Sequence, residues 1–173
     1  MIISKNLLKS SKEIKDAIIE LSNKINKDYS NKTIELISIN NAAKYLIEDL
    51  TKYLEIDFRL QSLNFENYEN SVESGEVKLT KDLESPIFDR HVILADGILI
   101  SGNTHFYLSS YLEQRLPKSI SILCVGHKPE LLVKKIPKCY SLFSFNDEWV
   151  EGYGIGSKEY RSQKYLVDLK KPQ

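Results

Sequence analysis

The stretch of this chain best suited to chemistry runs from Asp96 through Gly97, Ile98, Leu99, Ile100, Ser101, Gly102 and Asn103 to Thr104. Its second half (Ser101, Gly102, Asn103, Thr104) is short, polar and glycine-containing, and it opens a helix-like run. Such a turn presents backbone N–H groups with no partner inside the helix, and the helix dipole adds partial positive charge, so it can cradle a phosphate. The same residue types also make an ordinary strand-to-helix turn capped by Ser101, Asn103 or Thr104. Residue types alone leave both readings open. His91, His105 and His127 are scattered, and none takes a catalytic role. His105 directly follows the loop, either as a first-turn helix residue or as a phosphate contact. Cys124 and Cys139 cannot build a disulfide framework, and no Cys/His spacing points to zinc.

The elements that must position this loop can be read from periodicity. Residues 11–29 place Ile14, Ile18, Leu21 and Ile25 on one helical stripe. Residues 33–39 are β-branched and apolar, which predicts a buried strand. Asn40 and Asn41 suit a turn, and helical spacing resumes over 42–54. Residues 56–63 alternate as a strand does, and the polar run 64–77 is expected to be a mobile loop. A second buried strand is expected over 91–100, a helix over 105–116 closed by Pro117, and a third strand over 119–126. Short strands near 140–145 and 149–153 complete the pattern. This alternation predicts an α/β fold, a mainly parallel sheet flanked by helices. In such sheets ligands sit beyond the carboxyl ends of the strands, where the 96–104 loop lies. Without repeats or linkers, residues 1–173 read as one domain.

Composition excludes several classes. The chain has 173 residues, with 24 Lys and Arg against 24 Asp and Glu. A balanced charge argues against a general hold on nucleic acid phosphates. No apolar run approaches a membrane span, and the N-terminus turns charged too soon for a secretory core, so no membrane partner and a cytoplasmic address are expected.

Several segments together resemble the hypoxanthine(-guanine) phosphoribosyltransferases of purine salvage. Residues 14–39 resemble that family's N-terminal helix and first core strand, and 77–94 the stretch leading into its phosphoribosyl-pyrophosphate motif. Residues 122–137, ILCVGHKPELLVKKIP, are similar to the segment with a purine-contacting lysine. Residues 149–161, WVEGYGIGSKEYR, are similar to the C-terminal signature. The resemblance implies a phosphoribosyltransferase-like parallel sheet with a small hood built from terminal segments. It also implies transfer of a ribose 5-phosphate unit to a purine base with release of pyrophosphate, and a homodimer or homotetramer.

Under that resemblance the site divides. Lys128 matches the lysine that donates to the purine oxygen, Trp149 the aromatic that stacks on the base, and Val150 the residue whose backbone meets the ring edge. Outside that context Lys128 would read as a surface lysine and Trp149 as a core aromatic. Ser101, Gly102, Asn103 and Thr104 match the phosphate loop, and Asp96 matches a ribose-holding acid. Arg161 stands for a pyrophosphate-facing arginine, one deletion out of step. Other roles are missing. Gly97 replaces a second ribose acid, Ile100 the aspartate regarded as the acid/base at purine N7, and Gly156 the signature aspartate near metal and base. Asn40, Asn41 and Ala42 stand where the family has a Leu-Lys-Gly pyrophosphate loop. The 64–77 stretch lacks the family's Ser-Tyr-Gly pattern; Asn67 and Tyr68 are its nearest remnant, and Glu66, Glu69 and Glu73 would repel pyrophosphate. The resemblance implies magnesium, but three acid positions that would serve it are vacant. The expectation is a salvage-type purine phosphoribosyltransferase with base and 5′-phosphate sites largely kept and catalysis weak or lost. Its ligands would be a purine base, IMP or GMP, and phosphoribosyl pyrophosphate. The alternative is an inactive nucleotide-binding sensor, or a regulatory or scaffold protein of the same fold.

Overall fold

The computed structural model describes residues 5–67 and 77–169. In chain order the elements are β1 (Lys5–Lys9), α1 (Ser11–Asp28), β2 (Ile34–Ile39), α2 (Lys44–Leu50), β3 (Phe58–Asn67), β4 (Val77–Lys81) and β5 (His91–Leu99). They continue with α3 (Asn103–Glu113), β6 (Ser119–His127), a 3₁₀ turn (Pro129–Leu131), β7 (Lys138–Ser144), β8 (Val150–Glu151), α4 (Lys158–Arg161) and β9 (Leu166–Leu169). A six-stranded sheet runs in the order β4-β3-β2-β5-β6-β7, parallel throughout except for the antiparallel edge pair β3 and β4. This is the expected mainly parallel α/β sheet.

Strand alternation gives the sheet two buried faces. Ile34 and Leu36 of β2, with Ile93 and Ala95 of β5, pack on the side of α1, where the stripe Ile14, Ile18, Leu21 and Ile25 is buried. Ile37 and Ile39 of β2, with Val92 and Leu94 of β5, face Leu108 and Leu112 of α3. The capping box of Ser10 and Glu13 starts α1 as its sequence allows.

Three local expectations change. The polar stretch beginning at residue 64 is strand through Asn67, pairing Asn64 with Lys81, Phe65 with Leu79 and Glu66 with Lys78. Cross-strand pairing overrides its polar composition; Tyr68, Glu69 and Glu73 lie outside the described residues. Helix α3 begins at Asn103, so half of the phosphate-type loop is already helical. Strand β8 covers only Val150 and Glu151, because the chain then turns through Gly152 and an isolated bridge to Ile155.

The hood is a separate three-stranded sheet in the order β1-β9-β8. Both termini build it, as the resemblance implied. Its strands β1 and β9 were not read from periodicity, since five- and four-residue runs hold too few alternations to register.

Candidate functional site

The carboxyl ends of β2, β5 and β6 and the hood loops enclose the site. Asp96 sits near the end of β5, beside Cys124 of β6. Its Oδ1 accepts the N–H of Gly97 at 2.7 Å, and its Oδ2 lies 3.0 Å from Nε2 of His105. His105 is buried in the first turn of α3, on the face it shares with Leu108, Ser109 and Leu112. The contact is close but falls short of a directed hydrogen bond. Sequence reading missed this pairing, although the 105, 108, 109, 112 spacing puts His105 on the core-facing stripe.

The phosphate-type turn follows directly. Gly102 takes a left-handed conformation with φ +80°, and its carbonyl accepts the first helical N–H, from Phe106, at 2.8 Å. A Cβ at Gly102 would lie 3.0 Å from Ile136 and 3.4 Å from Leu132, so the 128–137 segment presses on the turn. Val133 donates to the Ser101 carbonyl at 3.0 Å, and the Lys128 N–H to the Leu99 carbonyl at 2.9 Å. The base-type segment and the phosphate-type turn are thus tied into one unit.

Lys128 reaches the segment that carries Trp149 and Val150. Lys128 is buried, with its ammonium donating to the Glu148 carbonyl at 2.7 Å. Val150 is buried, while Trp149 is 50% exposed. Neither the surface-lysine nor the core-aromatic alternative holds. The Trp149 backbone is held twice by β9, its N–H donating to Asp168 at 2.9 Å and its carbonyl accepting from Leu169 at 3.0 Å. Its indole N–H donates to Glu151 at 3.2 Å.

A cavity of about 570 Å³ opens on the other side of Asp96, between the 40–45 segment and the hood residues 154–162. Lys44, Lys158 and Arg161 line it, against Asp96 as the one acid of its wall. Asn41 carries no charge; Lys44, at the start of α2, has its ammonium 3.8 Å from Glu48 Oε1, and Lys158 starts α4. Arg161 holds the hood turn through two bonds to the Gly156 carbonyl, at 3.2 and 2.9 Å. Asn40 and Asn41 both take left-handed φ, at +47° and +58°, and the Asn40 side chain clasps the Phe65 backbone at 2.8 and 3.0 Å. Asn tolerates that region better than most residues, so the turn forms without glycine.

Two of the three acid positions, Gly97 and Gly156, are tightly packed. A Cβ at Gly97 would lie 3.2 Å from Ile155 and 3.3 Å from the Ala42 carbonyl. A Cβ at Gly156 would overlap the Glu151 side chain. Ile100 is 43% exposed and offers no proton-transfer group. Among the described residues no group of three or more His, Cys, Asp or Glu is placed to hold a metal ion. Both oxygens of Asp96 already have close neighbours. The donor set does not fit a magnesium ion held by the protein.

Behind the cavity, the Tyr153 hydroxyl donates to Asp49 at 2.6 Å and approaches the Tyr45 carbonyl at 3.2 Å, joining hood to α2. Burial, then the Asp49 carboxylate, pushes the Tyr153 hydroxyl well above its ordinary pKa. Burial alone would raise Asp49, but hydrogen bonds from Lys52 and Tyr153 outweigh it and hold the carboxyl below its usual value.

Residues 5–158 match the phosphoribosyl transferase domain family. A hypoxanthine phosphoribosyltransferase of Buchnera aphidicola is 32% identical over 161 residues, covering 91% of this chain and 91% of that protein. A hypoxanthine-guanine phosphoribosyltransferase of Streptococcus thermophilus is 30% identical over 168 residues, covering 96% and 93%. Among solved structures, a hypoxanthine-guanine phosphoribosyltransferase of Bacillus anthracis, with a HEPES molecule in its active site, superposes with a TM-score of 0.91. It is 26% identical, over 96% of this chain and 99% of that one. Among the described residues no helix is long and apolar enough to cross a membrane.

Proposed function

The chain belongs to the hypoxanthine-guanine phosphoribosyltransferase family, and from that premise we propose that it holds a purine nucleotide while its transferase step is slow or lost. The observation that carries the reading is the division within one cleft. The base and phosphate segments are tied together, whereas Ile100 stands at the proton-transfer position and close packing fills the space at Gly97 and Gly156.

Each role follows from residue chemistry. The buried Lys128 ammonium meets the purine oxygen, the half-exposed Trp149 ring stacks on the base, and the Val150 backbone meets the ring edge. Asp96, steadied by His105 and the Gly97 N–H, accepts from the ribose hydroxyls. Ser101, Gly102, Asn103 and Thr104 receive the 5′-phosphate at the start of α3. Lys44, Lys158 and Arg161 give the adjoining cavity a positive lining that favours a further phosphate.

The slow step has an equally direct cause. A positioned general acid/base is typically worth about 10²–10⁴ in rate, and Ile100 can supply none of it. The family is generally magnesium-dependent. Here a metal would have to arrive with the diphosphate ligand rather than on carboxylates of the protein.

Trp149 is the one tryptophan of the chain, so its emission reports on this site alone. Titration with IMP and GMP is expected to quench it saturably, with inosine binding more weakly because it lacks the phosphate. Unchanged emission together with no heat of binding for either nucleotide would contradict the reading and leave a scaffold of the same fold.

A further inference from the structure

Glu151 is buried at the end of β8, and its carboxylate is fully engaged. Oε1 accepts the Trp149 indole N–H at 3.2 Å, while Oε2 accepts the Ser157 N–H at 3.1 Å and its hydroxyl at 2.6 Å. An ideal Cβ at Gly156 would lie 2.6 Å from Glu151 Cγ, 2.7 Å from Cδ and 2.9 Å from Oε2. Side chains at 151 and 156 compete for one volume, and in this chain residue 151 fills it. Gly156 has φ +82°, a region that glycine enters without strain.

We propose that Glu151 is a positioning residue of the purine slot, its carboxylate reaching from β8 into the space of a residue-156 side chain and fixing there both the Trp149 ring and the 156–157 turn. A carboxylate with so little solvent contact persists only when its oxygens are paired. Three donors do so here, and one of them belongs to a half-exposed aromatic. Anchoring the indole edge of this half-exposed residue restricts its two side-chain torsions before a ligand arrives, which lowers the ordering cost of stacking. With Asp168 and Leu169 holding the Trp149 backbone, platform and support form a preorganised unit.

The inference rests on the nucleotide-holding reading for its ligand, so the test has an arm that needs none. In ligand-free protein, Glu151→Leu is expected to shift Trp149 emission and raise its quenching by acrylamide, because the indole N–H loses its acceptor. In the ligand arm, Glu151→Leu should weaken IMP by about tenfold or more while leaving ribose 5-phosphate, which lacks the base, within about twofold. Glu151→Gln, which keeps one acceptor oxygen, should fall between the two and serves as the test if the leucine variant does not fold. If the wild-type protein ignores IMP while Glu151→Leu still changes the emission, the nucleotide reading alone is refuted. Folded variants with wild-type emission, quenching and IMP affinity would overturn the role of Glu151, as would equal losses for IMP and ribose 5-phosphate. Shared volume predicts also that Gly156→Ala lowers the melting temperature less in a Glu151→Ala background than in the wild type; equal losses would contradict the shared space.

Discussion

The two ends of this cleft are built differently. At the end proposed for the base, the Lys128 ammonium is held on the Glu148 carbonyl and the Trp149 indole on Glu151, while Asp168 and Leu169 hold the Trp149 backbone. At the end proposed for the diphosphate, Lys44, Lys158 and Arg161 line the cavity, Gly97 and Gly156 are crowded by Ile155, Ala42 and Glu151, and Ile100 is 43% exposed. Holding a ligand needs complementary groups in place, whereas transferring a group needs a proton carrier and stabilisation of charge that appears only in the transition state. On the proposed reading the first set is kept and the second is lost at Ile100, because isoleucine has no substitute chemistry.

The sharpest way to break this contrast is to return the missing group. Ile100→Asp should raise nucleotide formation by about 10–100-fold, below the full worth of an acid/base because Gly97 and Gly156 remain, and should leave IMP affinity nearly unchanged. Steady-state rates with hypoxanthine and phosphoribosyl pyrophosphate check it. Attacking the other end, Lys128→Met removes a charge-assisted donor worth about 1.5–3 kcal/mol, so IMP should bind about 10–100-fold more weakly by calorimetry, while ribose 5-phosphate is affected far less.

A smaller effect distinguishes the cavity cations. Lys44→Ala and Lys158→Ala should each weaken phosphoribosyl pyrophosphate by about two- to fivefold, less at high salt, because exposed charges are screened. IMP, which has no diphosphate, should bind as before. The hood support gives the smallest change. Asp49→Asn should cost about 1 kcal/mol at neutral pH through its weakened bond with Tyr153. Its folded pKa is depressed, so the Asp49 contribution is present above the unfolded value of about 3.9 and fades as pH falls through the folded value. The stability gap between wild type and variant, followed by urea melts, should therefore narrow below about pH 4.

Much of the sheet was legible because strongly apolar runs such as residues 33–39 and 119–126 have only one way to be buried. The stripe of α1 was legible for the same reason. The hood strands were not, since Lys5–Lys9 and Leu166–Leu169 are short and gain their structure from pairing with each other. In the site, Lys128 reaches the segment that carries Trp149 and Val150. The replacements were invisible to a position-by-position reading. The Glu151 side chain fills the space beside Gly156 across five residues, His105 reaches Asp96 from a different element, and Lys44 and Lys158 line a cavity whose wall includes hood residues.

The central claim, a cleft that holds nucleotide without rapid transfer, is tested most directly by turnover per nucleotide-binding site. Sites are counted by IMP titration of Trp149 emission, and the same protein is then supplied with hypoxanthine, phosphoribosyl pyrophosphate and magnesium. The account predicts saturable IMP binding and a rate per site below about 1 s⁻¹, under the usual enzyme range. A rate per site at or above that value would contradict it.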